Sequence, residues 1–268
     1  MSESIFLEDR GRFMPTELAR GPWDPQALHG GAPAALIADA FERHEPSGET
    51  AIARLGYEFM RPIPFAPLTL SVRTLRAGRR VQELTAELHA DTGTGDGPLI
   101  CRATALRVAH LPARLPELPA GSRAERRMPG QEEGKPTSFS LSGSEQTSFA
   151  SNAMEMRWLT DASALGRGQV WMRMRHHLLP GRPASPLARL AGTADFGNGV
   201  GAALPYSDYL FINADLTVHL HRQPQGEWMG IDATTLLQEG AIGLAESVLH
   251  DERGPVGRGF QAVVVAPR

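Results

Sequence analysis

Apolar residues recur at helical spacing in two short stretches and at every second position through most of the remaining chain. Leu187, Leu190, Ala191 and Ala194 stand at i, i+3, i+4 and i+7, which predicts a buried helix over residues 185–196. Ser185 is placed to cap it, and Pro186 sits where a missing N–H costs nothing. The second stretch, Leu28 to Phe41, is rich in small and apolar residues. Pro33 fits only the first turn of a helix, which sets the start near Gly31. Elsewhere the period is two. Residues Phe6 to Trp23, ending in Pro22-Trp23-Asp24-Pro25, predict two short strands around polar turns. Strands follow over Ala53 to Met60, Leu68 to Leu75, Val81 to Ala90 and, past the turn Asp96-Gly97-Pro98, Leu99 to Val108. Leu68, Leu70, Val72 and Thr74 share one face, and Leu84, Ala86, Leu88 and Ala90 another. From His110 to about Ser151 the periodicity gives way to Pro, Ser, Gly and clustered charge, including Arg123 to Arg127 and Gln131-Glu132-Glu133, the signature of a linker or surface excursion. Met154 to Trp158 and Gln169 to Arg175 then predict strands. Over Phe211 to His221, Ile212, Ala214, Leu216, Val218 and Leu220 form one expected apolar face, with Asn213 on the other.

The order repeats. Arg61 and Arg222 are separated by 161 residues, and so are Leu88 and Leu249. Asn213 to Arg222 mirrors Gly56 to Arg61. Ile231 to Leu237 mirrors Leu68 to Leu75, Ala241 to His250 mirrors Arg80 to His89, and Gly254 to Val265 mirrors Gly97 to Val108. Self-similarity of this kind signals a duplicated unit. The expected organisation is an α+β chain of two copies, residues 1–110 and 152–268, joined by an excursion over 111–151.

Composition narrows the class. A chain of 268 residues with 41% hydrophobic and 21% charged residues has enough apolar surface for a sizeable core. A net charge of −3 gives no reason to expect nucleic acid or an anionic membrane as partner. The single cysteine, Cys101, allows no internal disulfide and fits a reducing compartment. Met1-Ser2-Glu3-Ser4-Ile5-Phe6 lacks the basic and apolar regions of a signal peptide, and no apolar run reaches membrane-spanning length, so a cytoplasmic protein is expected.

Asp195 falls i+8 from Leu187 and i+4 from Ala191, on the apolar stripe itself. A carboxylate there is costly unless something hydrogen-bonds it; otherwise it turns outward at a frayed helix end. Gln261 interrupts an apolar strand and shares a face with Val263 and Val265, where a polar group needs a partner. Gly30 and Gly31 precede a helix, so they either let a ligand approach free amides or only make a tight turn. His29 beside them either touches substrate or is satisfied by backbone. Other constellations are weaker. His219 and His221 share a strand face without a third ligand at suitable spacing, and His176-His177 point to opposite faces. No Gly-x-Ser-x-Gly elbow occurs. Cys101 reads as a small core residue, and Gly197-Asn198-Gly199-Val200-Gly201 follows a helix rather than the strand a dinucleotide fingerprint requires.

Taken together, Gln26-Ala27-Leu28-His29-Gly30-Gly31, Phe59-Met60-Arg61-Pro62, Thr74-Leu75-Arg76-Ala77-Gly78, Gln169-Val170-Trp171 and Asp215 through His221-Arg222 resemble the acyl-CoA thioesterase II family over nearly the whole chain. The resemblance implies a tandem double hot-dog fold, two antiparallel sheets each wrapped around a central helix. It also implies hydrolysis of a fatty or related acyl-CoA to free acid and coenzyme A. Members use an aspartate on the second-half helix, a threonine or similar residue on the following strand, and a glutamine on the last strand. Those positions fall on Asp195, Asn213 and Gln261, with asparagine departing from threonine. Asp195 is then the general base or water-orienting group, Asn213 and Gln261 fix water and carboxylate, and the Gly30 and Gly31 amides polarise the thioester carbonyl. No metal or redox cofactor is implied; the partner is acyl-CoA, and monomer, homodimer and tetramer all remain open. Two alternatives stand: a non-catalytic acyl-CoA-binding protein, and a 3-hydroxyacyl-CoA hydratase-like enzyme. The second wants a paired Asp and His, and Asp195 has no histidine at helical spacing.

Overall fold

The computed structural model describes residues 4–22, 24–46, 48, 50–93, 97–110, 119, 127–137, 146–238, 240 and 242–268. Trp23, Asp96 and the charged run Arg123–Glu125–Arg126, all singled out in the sequence, lie outside the described residues. Strands β1 (Phe6–Asp9) and β2 (Arg12–Pro15) lead to helix α1 (Gly31–Arg43). Four strands follow: β3 (Thr50–Phe59), β4 (Leu68–Ala77), β5 (Val81–Ala90) and β6 (Leu99–Ala109). The second half carries β7 (Lys135–Pro136), β8 (Met154–Trp158), β9 (Arg167–Met174), helix α2 (Pro186–Ala194) and the single turn α3 (Gly197–Val200). It ends with β10 (Tyr209–Asn213), β11 (Asp215–Leu220), β12 (Met229–Leu237), β13 (Ile242–Asp251) and β14 (Gly254–Pro267).

The two sheets expected from the resemblance are one. Fourteen antiparallel strands run in the order β1-β2-β4-β5-β6-β3-β11-β14-β13-β12-β9-β8-β7, with β10 beside β14. The join is the β3–β11 pair, where Glu58 faces Asp215 and Arg54 faces His219. Pairing these two edges removes two rows of open backbone groups that separate sheets would expose. The order β4-β5-β6-β3 in one half matches β12-β13-β14-β11 in the other. Even the irregularities match: the β5–β6 register slips between Leu88 and His89, and the β13–β14 register slips between Leu249 and His250.

Both helices lie against the sheet, α1 on β3, β4 and β5, α2 on β9, β11, β12 and β13, and each packs on the other. Leu36, Ile37 and Phe41 of α1 are buried with Leu55, Leu84 and Leu88; Leu187 and Leu190 of α2 are buried with Ile231 and Leu249. The helices cross closely at glycine. A Cβ on Gly31 would sit 2.6 Å from the Gly192 carbonyl oxygen and 2.9 Å from the Phe149 ring. The α1 C-terminus is closed by a buried cation: Arg107 donates to the carbonyls of Phe41, His44 (2.6 Å) and Glu45 (3.2 Å), which the helix itself leaves unpaired.

One expectation is corrected. The stretch Phe211–His221 is not one strand with one apolar face. Asn213 pairs with Val263 but Thr217 pairs with Phe260, so an extra residue is inserted at a bulge. Ala214 spans it, its N–H donating to the Ala262 carbonyl and its carbonyl accepting from Phe59, and the Asp215 carboxylate takes the Ala262 amide at 2.6 Å. Leu216 and Val218 are therefore buried while Ile212 is 56% exposed, and Phe211 turns inward with Ala245, Val263 and Val265. Of the excursion expected over 111–151, the described residues are partly exposed, as at Glu132, Glu133, Lys135 and Pro136, and partly packed. Phe149 is fully buried, Met128 is buried, and Pro129 accepts from the Trp171 indole at 2.8 Å.

The second half is pinned by Arg222, whose guanidinium donates to both oxygens of Asp251 at 2.6 Å. Burial pushes the Asp251 carboxyl upward, but Arg222 and the amides of Arg253 and Gln225 outweigh it and hold the group below the usual carboxylate range. Removing one partner of a buried pair leaves a stranded charge, so Arg222→Ala is expected to lose about 3 kcal/mol, roughly 6–12 °C in Tm at this chain length. A carboxyl held below its unfolded value contributes fully above about pH 4 and loses that contribution as pH falls through the folded value. Thermal melts should thus show a wide gap between wild type and variant at pH 7 that narrows near pH 3.

Candidate active site

Helix α2 runs as the sequence predicts, with the Ser185 hydroxyl accepting the Ala188 amide at 3.0 Å. It stops at Ala194, and three glycines in the next seven residues break the chain into the short turn α3. Asp195 sits in that joint, 5% exposed. Its main-chain carbonyl has no helical donor; it accepts instead from Asn213 Nδ2 at 3.1 Å and Gln261 Nε2 at 3.0 Å. Its carboxylate accepts from Asn213 Nδ2 at 3.0 Å through Oδ1, and Oδ2 lies 3.1 Å from His29 Nδ1.

The three residues named from the sequence thus meet, but not in equivalent roles. Asn213 holds the carboxylate itself. Gln261, 2% exposed, holds only the backbone that carries it, and its Oε1 accepts the Asn198 amide at 2.9 Å. That approach depends on Gly197, where a Cβ would fall 2.5 Å from Gln261 Oε1. Asn198 was missed: its Nδ2 donates to Asn213 Oδ1 at 2.7 Å, and its own Oδ1 is buried with no hydrogen-bond partner among the described residues. Asn213 therefore donates on one side and accepts on the other, which an amide does across a longer span than a threonine hydroxyl. The signal for Asn198 lay in the glycine-rich run three residues past Asp195, set aside because no dinucleotide motif fits it.

The first-half residues also divide. The Gly31 amide is not free, since it lies 3.0 Å from His29 Nδ1 as a donor. The Gly30 amide has no acceptor among the described residues. Gly30 presses on the carboxylate; a Cβ there would lie 2.8 Å from Asp195 Oδ2 and 3.0 Å from Oδ1. The His29 ring packs against Phe196 and Phe149 in tilted contacts, with ring centroids 4.3 and 5.2 Å away. The Asp–His pairing that helical spacing excluded is made between helices: α1 and α2 run antiparallel, bringing the α1 start to the α2 end.

The pair opens on a cavity of about 500 Å³ whose walls include Leu28, Phe59, Ile63, Phe196, Tyr206 and Phe211, with His29, Gly30, Asp195, Asn198 and Asn213 as its polar patch. Arg61 stands at its exposed side. Cys101 takes no part: it is buried, and burial pushes its thiol up to about 12. No three His, Cys, Asp or Glu side chains converge as a metal site among the described residues. No helix among them is long and apolar enough to cross a membrane.

Comparison with solved structures defines the class. A provisionally assigned thioesterase from Novosphingobium aromaticivorans DSM 12444 is 20% identical with a TM-score of 0.72, covering 97% of this chain and 98% of that one. A conserved protein with a hot-dog fold from Alicyclobacillus acidocaldarius is 17% identical, TM-score 0.66, covering 97% and 95%. Acyl-CoA thioesterase II TesB2 from Mycobacterium marinum is 15% identical, TM-score 0.61, covering 94% and 96%. The fold is the α+β hot-dog fold. Sequence models of the acyl-CoA thioesterase N-terminal and C-terminal domains match residues 19–108 and 122–265, so the chain belongs to the acyl-CoA thioesterase family, whose members are thioester hydrolases. A comparison with curated proteins finds no match.

Proposed function

We propose that the chain hydrolyses a fatty or related acyl-CoA at Asp195, with residues 1–110 and 152–268 acting as two hot-dog units that share one site. The observation that supports this is a buried carboxylate, hydrogen-bonded by Asn213 and 3.1 Å from His29, facing a largely apolar cavity at the mouth of a helix. The acyl chain lies against the aromatic walls, and coenzyme A trails out past Arg61. Water adds to the thioester carbonyl beside the polar patch. The unpaired Gly30 N–H, at the positive end of α1, receives the oxygen that becomes negative. Asn213 and Gln261 keep the carboxylate and its backbone from moving as charge shifts.

A panel of acyl-CoAs with thiol detection tests the reading. Release of free coenzyme A without any added cofactor is expected. The His29–Asp195 pair favours a second reading, hydration of an enoyl-CoA, which would consume the double bond and release no thiol. Binding with neither reaction would defeat both.

A further inference from the structure

The duplicated halves put the same arginine to different uses. Met60 N–H donates to the Ile100 carbonyl as His221 N–H donates to the Val256 carbonyl. Phe59 faces Cys101 as Leu220 faces Gly257. The next residues, Arg61 and Arg222, are therefore equivalent in the fold. Their surroundings differ at one position. Leu68 faces Ala90 in the first half, and Met229 faces Asp251 in the second, so the residue that gives Arg222 its carboxylate is an alanine beside Arg61. Arg61 has no hydrogen bond or ion pair among the described residues, is exposed, and lines the cavity that holds Asp195. We infer that Arg61 binds a phosphate of coenzyme A and makes the site prefer a nucleotide-bearing thioester to one on bare pantetheine. This rests on the hydrolase reading and names a recognition element of the same site.

The polarity of the cavity matches that of the substrate. An acyl-CoA carries its reacting carbonyl at one end of the pantetheine arm and its phosphates at the other. Asp195 is buried, and Arg61 stands on the exposed side of the same cavity. Arg61 is the one arginine or lysine among the described residues that line it. The carboxylates there are Asp195 and the exposed Asp24, which accepts the Gln26 amide at 2.8 Å. An anion reaching that wall therefore has a single permanent cation to meet.

The second half displays what this side chain does when paired oxygens are offered: Arg222 grips both oxygens of Asp251 at 2.6 Å. A guanidinium is a planar fork of N–H donors that matches two oxygens of a carboxylate or of a phosphate. A phosphate supplies the paired oxygens that Ala90 does not. In one copy the fork is spent on the fold; in the other it is left for the ligand.

The test compares thiol release from one acyl group carried on coenzyme A, on dephospho-coenzyme A and on pantetheine, with a thermal melt and a calorimetric titration of free coenzyme A. Arg61→Gln should raise KM for the acyl-CoA about tenfold, the low end for a hydrogen bond to a charged group because the site is exposed and screened. Its kcat should stay within about twofold, as expected when binding common to ground and transition states is removed. KM for the acyl-pantetheine should not move, Tm should not move, and free coenzyme A should bind about tenfold more weakly. A KM effect that disappears on dephospho-coenzyme A assigns the contact to the 3′-phosphate, and one that persists assigns it to the diphosphate. An unchanged KM for the acyl-CoA, or an equal rise with the acyl-pantetheine, would overturn the inference. A wild type that releases no thiol from any acyl-CoA defeats the hydrolase reading instead. The titration then decides alone: weaker binding in Arg61→Gln sustains the phosphate contact, and equal binding or none removes it.

Discussion

Asp195→Asn should fold as the wild type does and lose about 10³-fold in kcat. The substitution is nearly isosteric, so the contacts of the Asp195 carbonyl with Asn213 and Gln261 survive. What changes is the face toward His29. Kept facing Asn213, the new side chain turns its oxygen to that amide and its NH₂ to Nδ1. The negative charge is gone, and an amide takes no proton from water. Steady-state thiol release together with a thermal melt checks both halves. A kcat within tenfold of wild type removes Asp195 from the chemistry.

Gly30→Ala should cost about 10²-fold in kcat with little change in Tm. The backbone at Gly30 is ordinary right-handed helix, φ −57° and ψ −28°, so alanine introduces no strain there. The new methyl instead meets the carboxylate, 2.8 and 3.0 Å from its two oxygens. Asp195 must swing away from His29, Asn213 or both, and a displacement of about 1 Å is enough to cost 10²-fold. A variant that melts like wild type and turns over like wild type would mean that the carboxylate is not held where the reaction needs it. Gly31, one residue on, differs in kind, because its Cβ would strike the α2 backbone at the Gly192 carbonyl as well as the Phe149 ring.

Much of this arrangement was legible in the sequence because it follows from local periods. The α2 stripe, Ser185 as cap, and the alternation of Leu84, Leu88 and Ala86 are all short-range patterns, and the apolar residues are buried as their phase requires. Asp195 and Gln261 stood out because each is a polar residue where the period demands an apolar one. What stayed hidden depends on contacts between distant segments. His29 and Asp195 are 166 residues apart and meet only because the two helices cross at Gly31 and Gly192. Asn198 looks like a turn residue until its partner Asn213 is beside it. The bulge at Ala214 has no sequence marker either; it is fixed by Asp215 reaching across to the Ala262 amide. The joining of two expected sheets into one is likewise a matter of edges, which periodicity does not describe.

Antiparallel helices present two mouths, and only one of them is chemically open. At the far end, where α2 begins beside the end of α1, Pro186 has no N–H to offer. The Ser185 hydroxyl caps Ala188 and donates to Glu42, whose carboxyl is raised by burial. That end is sealed by its own hydrogen bonds. On the proposed reading of Asp195 as the site, each polypeptide would therefore turn over one thioester at a time, and neither half is a spare copy of the other.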